Sequence, residues 1–132
     1  MITWLELQKF SFENPPKFQL KRSTQVQKDY DIYISTIKSN NNDINKIITQ
    51  KYFSNNKNYV FVPNLFPYDI EDGIKHYLIW FNPILNNIID KKYIEDILIS
   101  NLGNKKYIYF INFATNKSVK NVEHCQVFLK EN

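Results

Sequence analysis

Two histidines are the only imidazoles in this chain, and each lies in a stretch whose neighbours could work with it. Near the C-terminus, Lys117-Ser-Val-Lys-Asn-Val-Glu-His-Cys-Gln-Val-Phe128 contains the alternation His124-x-Gln126-x-Phe128. On a strand, Val122, His124, Gln126 and Phe128 share one face and Glu123, Cys125, Val127 and Leu129 the other. Same-face neighbours stand about 7 Å apart along the strand, so an imidazole and an amide there can grip one small ligand together. Ser118 adds a hydroxyl, and Lys117 and Lys120 add positive charge. The second histidine, His76, precedes Trp80 by four residues. An extended segment over 74–81 puts Ile74, His76, Leu78 and Trp80 on one face.

If these two strands are neighbours with those faces aligned, His76, Trp80, His124 and Gln126 form a single surface. A nucleotide or similar phosphorylated ring compound suits it, with the ring on Trp80 and the phosphate near the lysines. The ligand set is therefore His76, Trp80, Lys117, Ser118, His124 and Gln126, with His124 and His76 as candidate catalysts. Each residue also has a plainer role. A lone histidine on an apolar strand face is more often a hydrogen-bonded structural residue, and a tryptophan there is more often core than platform.

The elements that must position these residues follow from local pattern. Thr3-x-x-Glu6 is a capping box opening a short helix that stops before Pro15-Pro16. Thr24-x-x-Gln27 repeats the device ahead of a stripe formed by Val26, Tyr30, Tyr33, Ile34 and Ile37. Ser39 to Asn42 breaks this second helix, and Asp43 caps a third with Ile44, Ile47, Ile48 and Tyr52 on a common face. The period then changes from helical to alternating. Tyr59–Val62 reads as a strand ended by Pro63, and Ile74–Phe81 as a second. Asp90 caps a helix with the stripe Ile89, Tyr93, Ile94, Ile97 and Leu98, closed near Gly103. Tyr107–Asn112 and Val122–Leu129 complete the set of strands. Helices followed by β-β-α-β-β predict an α+β fold in one domain, 1–132, with a helical part over 1–55 and a sheet-forming part over 56–132, mainly antiparallel.

Composition narrows the chemistry. At 132 residues and 43% apolar, the chain can bury one core. Eighteen Asn, eighteen Ile and sixteen Lys match the codon bias of an AT-rich genome, of the kind found in protists and large DNA viruses. The net charge of +4 is therefore weak support for nucleic-acid binding, although Lys105-Lys106-Tyr107 is a basic and aromatic pairing that suits RNA. The single cysteine, Cys125, excludes an internal disulfide and a multi-cysteine zinc site, and reads as a buried small hydrophobe. Asp69, Glu71 and Asp72 lack the glycine-spaced pattern of a calcium loop, so no metal and no cofactor is expected. Phosphate-loop, dinucleotide-binding and serine-elbow signatures are missing too. The N-terminus shows no secretory pattern and no apolar run is long enough to cross a bilayer, which predicts a soluble, cytoplasmic protein without membrane partners.

Five motifs occur in an order that resembles the fungal family of N-acetylglucosamine-induced proteins, a group described as a domain of unknown function. They are Thr3-Trp4-x-Glu6-Leu7, Arg22-Ser23, Phe66-Pro67-Tyr68, Gly73-Ile74-x-His76-x-x-x-Trp80, and Lys117-Ser118-Val119-x-x-Val122-Glu123-His124-x-x-Val127. This resemblance implies a role linked to amino sugars. The strand order and the last motif are also similar to the core of histidine-triad nucleotide hydrolases and transferases, which implies a HIT-like sheet. By that similarity the triad strand is His124, Gln126 and Phe128. The nucleophile's position is then Gln126, whose amide has no basic lone pair. What the resemblance implies is nucleotide or nucleotide-sugar binding without covalent transfer. The alternatives are a hydrolase using His124 or His76 as general acid or base, and an RNA- or protein-binding module.

Overall fold

A computed structural model describes residues 1–85 and 88–131. The elements are α1 (Trp4–Leu7), α2 (Thr24–Ser39), α3 (Ile44–Phe53), β1 (Tyr59–Pro63), β2 (Ile74–Phe81), α4 (Lys91–Leu102), β3 (Tyr107–Phe110) and β4 (His124–Lys130), with a 3-10 turn at Ala114–Asn116 before β4. The strands form an antiparallel sheet in the order β1-β2-β4-β3, so both histidine-bearing strands are central. The chain is thus α+β, with helices on the two faces of a four-stranded sheet.

Local chemistry sets most of the boundaries. The capping box at Thr3 and Glu6 is formed in both directions, but α1 is a single turn. Its place depends on Glu71, whose carboxylate accepts the Trp4 N–H at 2.6 Å. The cap of α2 is Ser23 rather than the expected Thr24: Ser23 has the extended backbone of an N-cap, and its hydroxyl accepts the Val26 N–H. At the other end Asn41 takes φ 57°, and the N–H groups of Asn41 and Asn42 close back on Lys38 and Ile37. This is the double closure of a Schellman turn, with asparagine in glycine's usual place. Asp43 and Asp90 cap α3 and α4 as the pattern predicts.

The sheet divides the molecule. On one side α4 lays Ile94, Ile97, Leu98 and Leu102 over Ile79, Phe81, Cys125, Val127 and Leu129. On the other, α1 and the 8–23 segment cover Ile74, Phe110 and Phe128, while α3 covers Leu78, Trp80 and Val122. Phe10 packs edge-on against Phe110 and Phe12 lies beside Tyr109, so residues 10–12 wrap the β3 edge from one face to the other. Two strands are shorter at one end than expected. Phe110 and Gln126 are the last matched pair of β3 and β4, and Ile111 and Asn112 leave the ladder. Val122 and Glu123 precede β4, because β2 ends at Phe81 and only the Glu123 carbonyl remains to be paired, by the Phe81 N–H. No helix among the described residues is long and apolar enough to cross a membrane.

Candidate functional site

Register decides which side chains meet. In the β2–β4 ladder Trp80 lies opposite His124, Leu78 opposite Gln126 and His76 opposite Phe128. Both imidazoles are therefore on the same sheet face, as the alternation predicts, with Gln126 between them.

The two rings have different roles. His76 is 6% exposed and sandwiched between Phe128 and Tyr68, with centroids at 4.4 and 4.7 Å. Its Nδ1 accepts the backbone N–H of Tyr68 at 3.2 Å, and its Nε2 lies 2.6 Å from Gln126 Oε1. Burial pulls its pKa down to about 3, against the opposing pull of the Gln126 hydrogen bond and with a further push from nearby Arg22. His76 is neutral, with both nitrogens engaged. It does not line the cleft described below.

His124 does line that cleft. Its Nδ1 is 3.0 Å from the Val122 carbonyl, which can only accept, so Nδ1 carries the proton. Nε2 is then a bare lone pair with no hydrogen bond among the described residues. Burial lowers the pKa of this ring as well, which keeps it neutral near pH 7.

The cleft lies between the sheet face and the helices α2 and α3, closed by the 63–68 loop and by the 112–119 connection. It is narrow, with a cavity volume of about 70 Å³. Trp80, Ser118, His124 and Gln126 of the expected set line it. Trp80 is less a platform than a wall, since Tyr52 stacks on its ring and His124 packs against it at 4.5 Å. Further ring surface in the cleft comes from half-buried Tyr30, Tyr33 and Phe66. This explains why α2, with five apolar stripe residues, fully buries only Ile37.

Lys117 is the largest departure from expectation. Its side chain is 11% exposed and its Nζ is 2.5 Å from Glu123 Oε1, while the same carboxylate oxygen accepts the His124 backbone N–H. It braces the start of β4 and does not line the cleft. The cations that do are Arg22 and Lys51, and among the described residues no carboxylate lines the cleft beside them. Arg22 donates its Nε–H to the Phe66 carbonyl at 2.8 Å and lies 4.2 Å over the Tyr30 ring. Its guanidinium makes no other hydrogen bond and no ion pair among the described residues. The sequence carried a signal for this residue that spacing did not expose: it is the one arginine among seventeen basic residues. Lysine cannot supply its planar, forked donors.

Amides complete the lining. Asn112 donates to the phenol oxygen of Tyr68 at 3.0 Å. Tyr30 Oη and Asn116 Nδ2, both on lining residues, are buried without a hydrogen-bond partner, though Tyr93 and Tyr109 on the α4 side share that condition. Cys125 is fully buried on the α4 side, with its thiol pushed far up by desolvation, and offers no nucleophile. Among the described residues no three His, Cys, Asp or Glu side chains converge as metal ligands.

Comparison with known proteins places the fold and the family. The crystal structure of HTC1 is similar over 86% of this chain and 77% of its own, with a TM-score of 0.60 and 22% identity, a likeness of fold alone. No curated protein matches the chain. A family profile described as "Protein of unknown function (DUF3605)" matches residues 3–130, so the five motifs and every residue of the cleft lie inside the matched region. The chain belongs to the DUF3605 family.

Proposed function

We propose that the cleft binds a small phosphorylated ring compound, a nucleotide, a nucleotide sugar or a related phosphate ester, without covalent transfer through the protein. The observation that carries this reading is the charge of the lining. Arg22 and Lys51 line a narrow cleft that no carboxylate among the described residues lines, beside amide donors and aromatic rings. A forked guanidinium with unspent donors suits phosphate oxygens, and the half-buried rings suit a sugar or base. The HIT-like resemblance supports the same surface, because the strand matched to the triad is the one whose His124 and Gln126 line the cleft. The resemblance to N-acetylglucosamine-induced proteins makes UDP-N-acetylglucosamine and N-acetylglucosamine phosphates the first probes.

Calorimetry and thermal unfolding against nucleotides, UDP-sugars and sugar phosphates test it. Saturable binding is expected, with stabilisation of about 2.7 kcal/mol at a hundredfold excess over Kd. Arg22→Ala and His124→Ala should weaken it. No saturable binding, or binding indifferent to both variants, overturns the reading. Affinity for RNA that collapses with salt would favour the nucleic-acid alternative instead.

One observation favours a second reading. His124, with Nδ1–H held by a carbonyl and Nε2 bare toward the cleft, has the geometry of a general base acting on water. Hydrolysis of a phosphate ester or anhydride, abolished by His124→Ala with binding retained, would replace binding by turnover. A broad panel with no turnover retires it.

A further inference from the structure

A backbone donor settles the polarity of Gln126. The Tyr68 N–H can only donate, so His76 Nδ1 is the unprotonated nitrogen of the ring. Nε2 must then carry the proton of this neutral imidazole. Its partner at 2.6 Å must accept, which identifies that atom as the Gln126 carbonyl oxygen and not its nitrogen. Asn64 Nδ2, at 3.5 and 3.4 Å from the two ring nitrogens, can only donate, so it is a further donor toward the unprotonated Nδ1 and does not alter the assignment. Since His76 is outside the cleft wall and Gln126 is in it, an amide pinned by its oxygen to His76 turns its NH2 the other way. That nitrogen makes no hydrogen bond among the described residues. Gln126 is 4% exposed overall, and its amide nitrogen is not one of the unpartnered side-chain atoms closed off from solvent, as expected of a group facing the cleft.

We propose that His76 is a positioning residue which fixes the Gln126 amide with its NH2 facing the cleft, so that this position takes a hydrogen-bond acceptor, such as a phosphoryl oxygen, while His124 Nε2 beside it takes a donor, such as a ring hydroxyl. The proposal rests on the ligand reading above and adds a donor–acceptor order to it. Arg22 belongs to the acceptor-binding end: its guanidinium is 5.7 Å from the ring of Tyr68, which in turn packs on His76. A phosphate would then be shared by the guanidinium and the amide. A hydroxyl would lie about two residues further along β4, roughly 7 Å by strand spacing. A free carboxylate-like acceptor at 126 would repel the same phosphate, which gives the glutamine a positive reason to be there.

The test begins with the unliganded wild-type protein. Side-chain nitrogen NMR at pH 7 should show His76 protonated on Nε2 only and His124 on Nδ1 only. A His76 protonated on Nδ1, or on both nitrogens, overturns the proposal whatever the variants do. Inorganic sulfate, a constant-charge stand-in for phosphate, is then titrated while the Gln126 NH2 resonances are followed. Those resonances should shift with saturation, and Gln126→Glu should weaken sulfate binding tenfold or more while His76 keeps its tautomer. Sulfate that saturates the protein without moving the Gln126 NH2 also overturns it. If neither sulfate nor phosphate binds but His76 has the expected tautomer, the ligand reading fails and the positioning role stands. Should Gln126→Glu not fold, the wild-type tautomer and amide shifts decide.

Discussion

The two faces of the sheet are made by alternate residues of the same two central strands, yet they solve opposite problems. Facing α4, β2 and β4 present Ile79, Phe81, Cys125, Val127 and Leu129, and the helix answers with an aliphatic stripe. That face is closed mainly by the hydrophobic effect, at roughly 1.5–3 kcal/mol for each large side chain removed from water. Facing α2 and α3, the same strands present His76, His124 and Gln126, all buried and all polar. Burying such groups costs free energy unless each finds a partner. His76 does so at both nitrogens, whereas His124 Nε2 and the Gln126 amide nitrogen do not. The bare groups of this face line the cleft, whereas the unpartnered phenol oxygens of Tyr93 and Tyr109 lie on the α4 side.

That contrast can be broken most forcefully from the apolar side. Leu98→Ala, under the centre of α4, should lower unfolding free energy by about 2–5 kcal/mol in denaturant titrations and leave ligand affinity of the folded protein unchanged. If affinity falls in parallel, the faces are coupled and the comparison fails. The next effect comes from protons. A histidine with a folded-state pKa near 3 and an ordinary unfolded value near 6.5 binds fewer protons when folded. Its contribution is fully present above pH 6.5 and is lost as pH falls toward 3. Stability should drop by about 3 kcal/mol between pH 6.5 and 4 through His76, and His124, lowered in the same direction, adds to the slope. Chemical denaturation at intermediate pH values checks this, and a flat profile would mean the polar face is open to water.

Arg22→Lys tests the charge of the cleft while keeping its sign. Loss of the fork should cost about tenfold in anion affinity, close to 1.4 kcal/mol, measured by calorimetry. Equal affinity would show that any cation suffices and would remove the special place of Arg22. The smallest expected effect sharpens the comparison by its absence. Lys117→Gln should change anion affinity less than twofold, because Lys117 is committed to Glu123 outside the cleft. A large loss there would restore the lysine to the site.

Much of this was legible along the chain because the signals are local. Capping side chains act within three residues of where they are, so Asp43 and Asp90 were readable and Ser23 was missed by one position. Alternation has a period of two and one buried face, so the sides taken by His76, Trp80, His124 and Gln126 followed from the pattern. Arg22 was not readable as a cleft residue. It lies in an irregular segment whose position depends on long-range bonds, from the Asp69 N–H to the Lys21 carbonyl and from Arg22 itself to the Phe66 carbonyl. Nothing in residues 8–23 encodes those partners locally. Lys117 misled for the related reason that a lysine's partner, Glu123, is chosen by the folded chain and not by spacing.

By itself the sequence determined the α+β class, the strands and the face each of their residues takes, since periodicity and caps depend on neighbours within a few positions. Only the tertiary structure decided that His76 supports while His124 faces the cleft, and that the cations there are Arg22 and Lys51. Those outcomes depend on which distant backbone groups arrive beside each ring, and hydrogen-bond direction is settled only when both partners are in place.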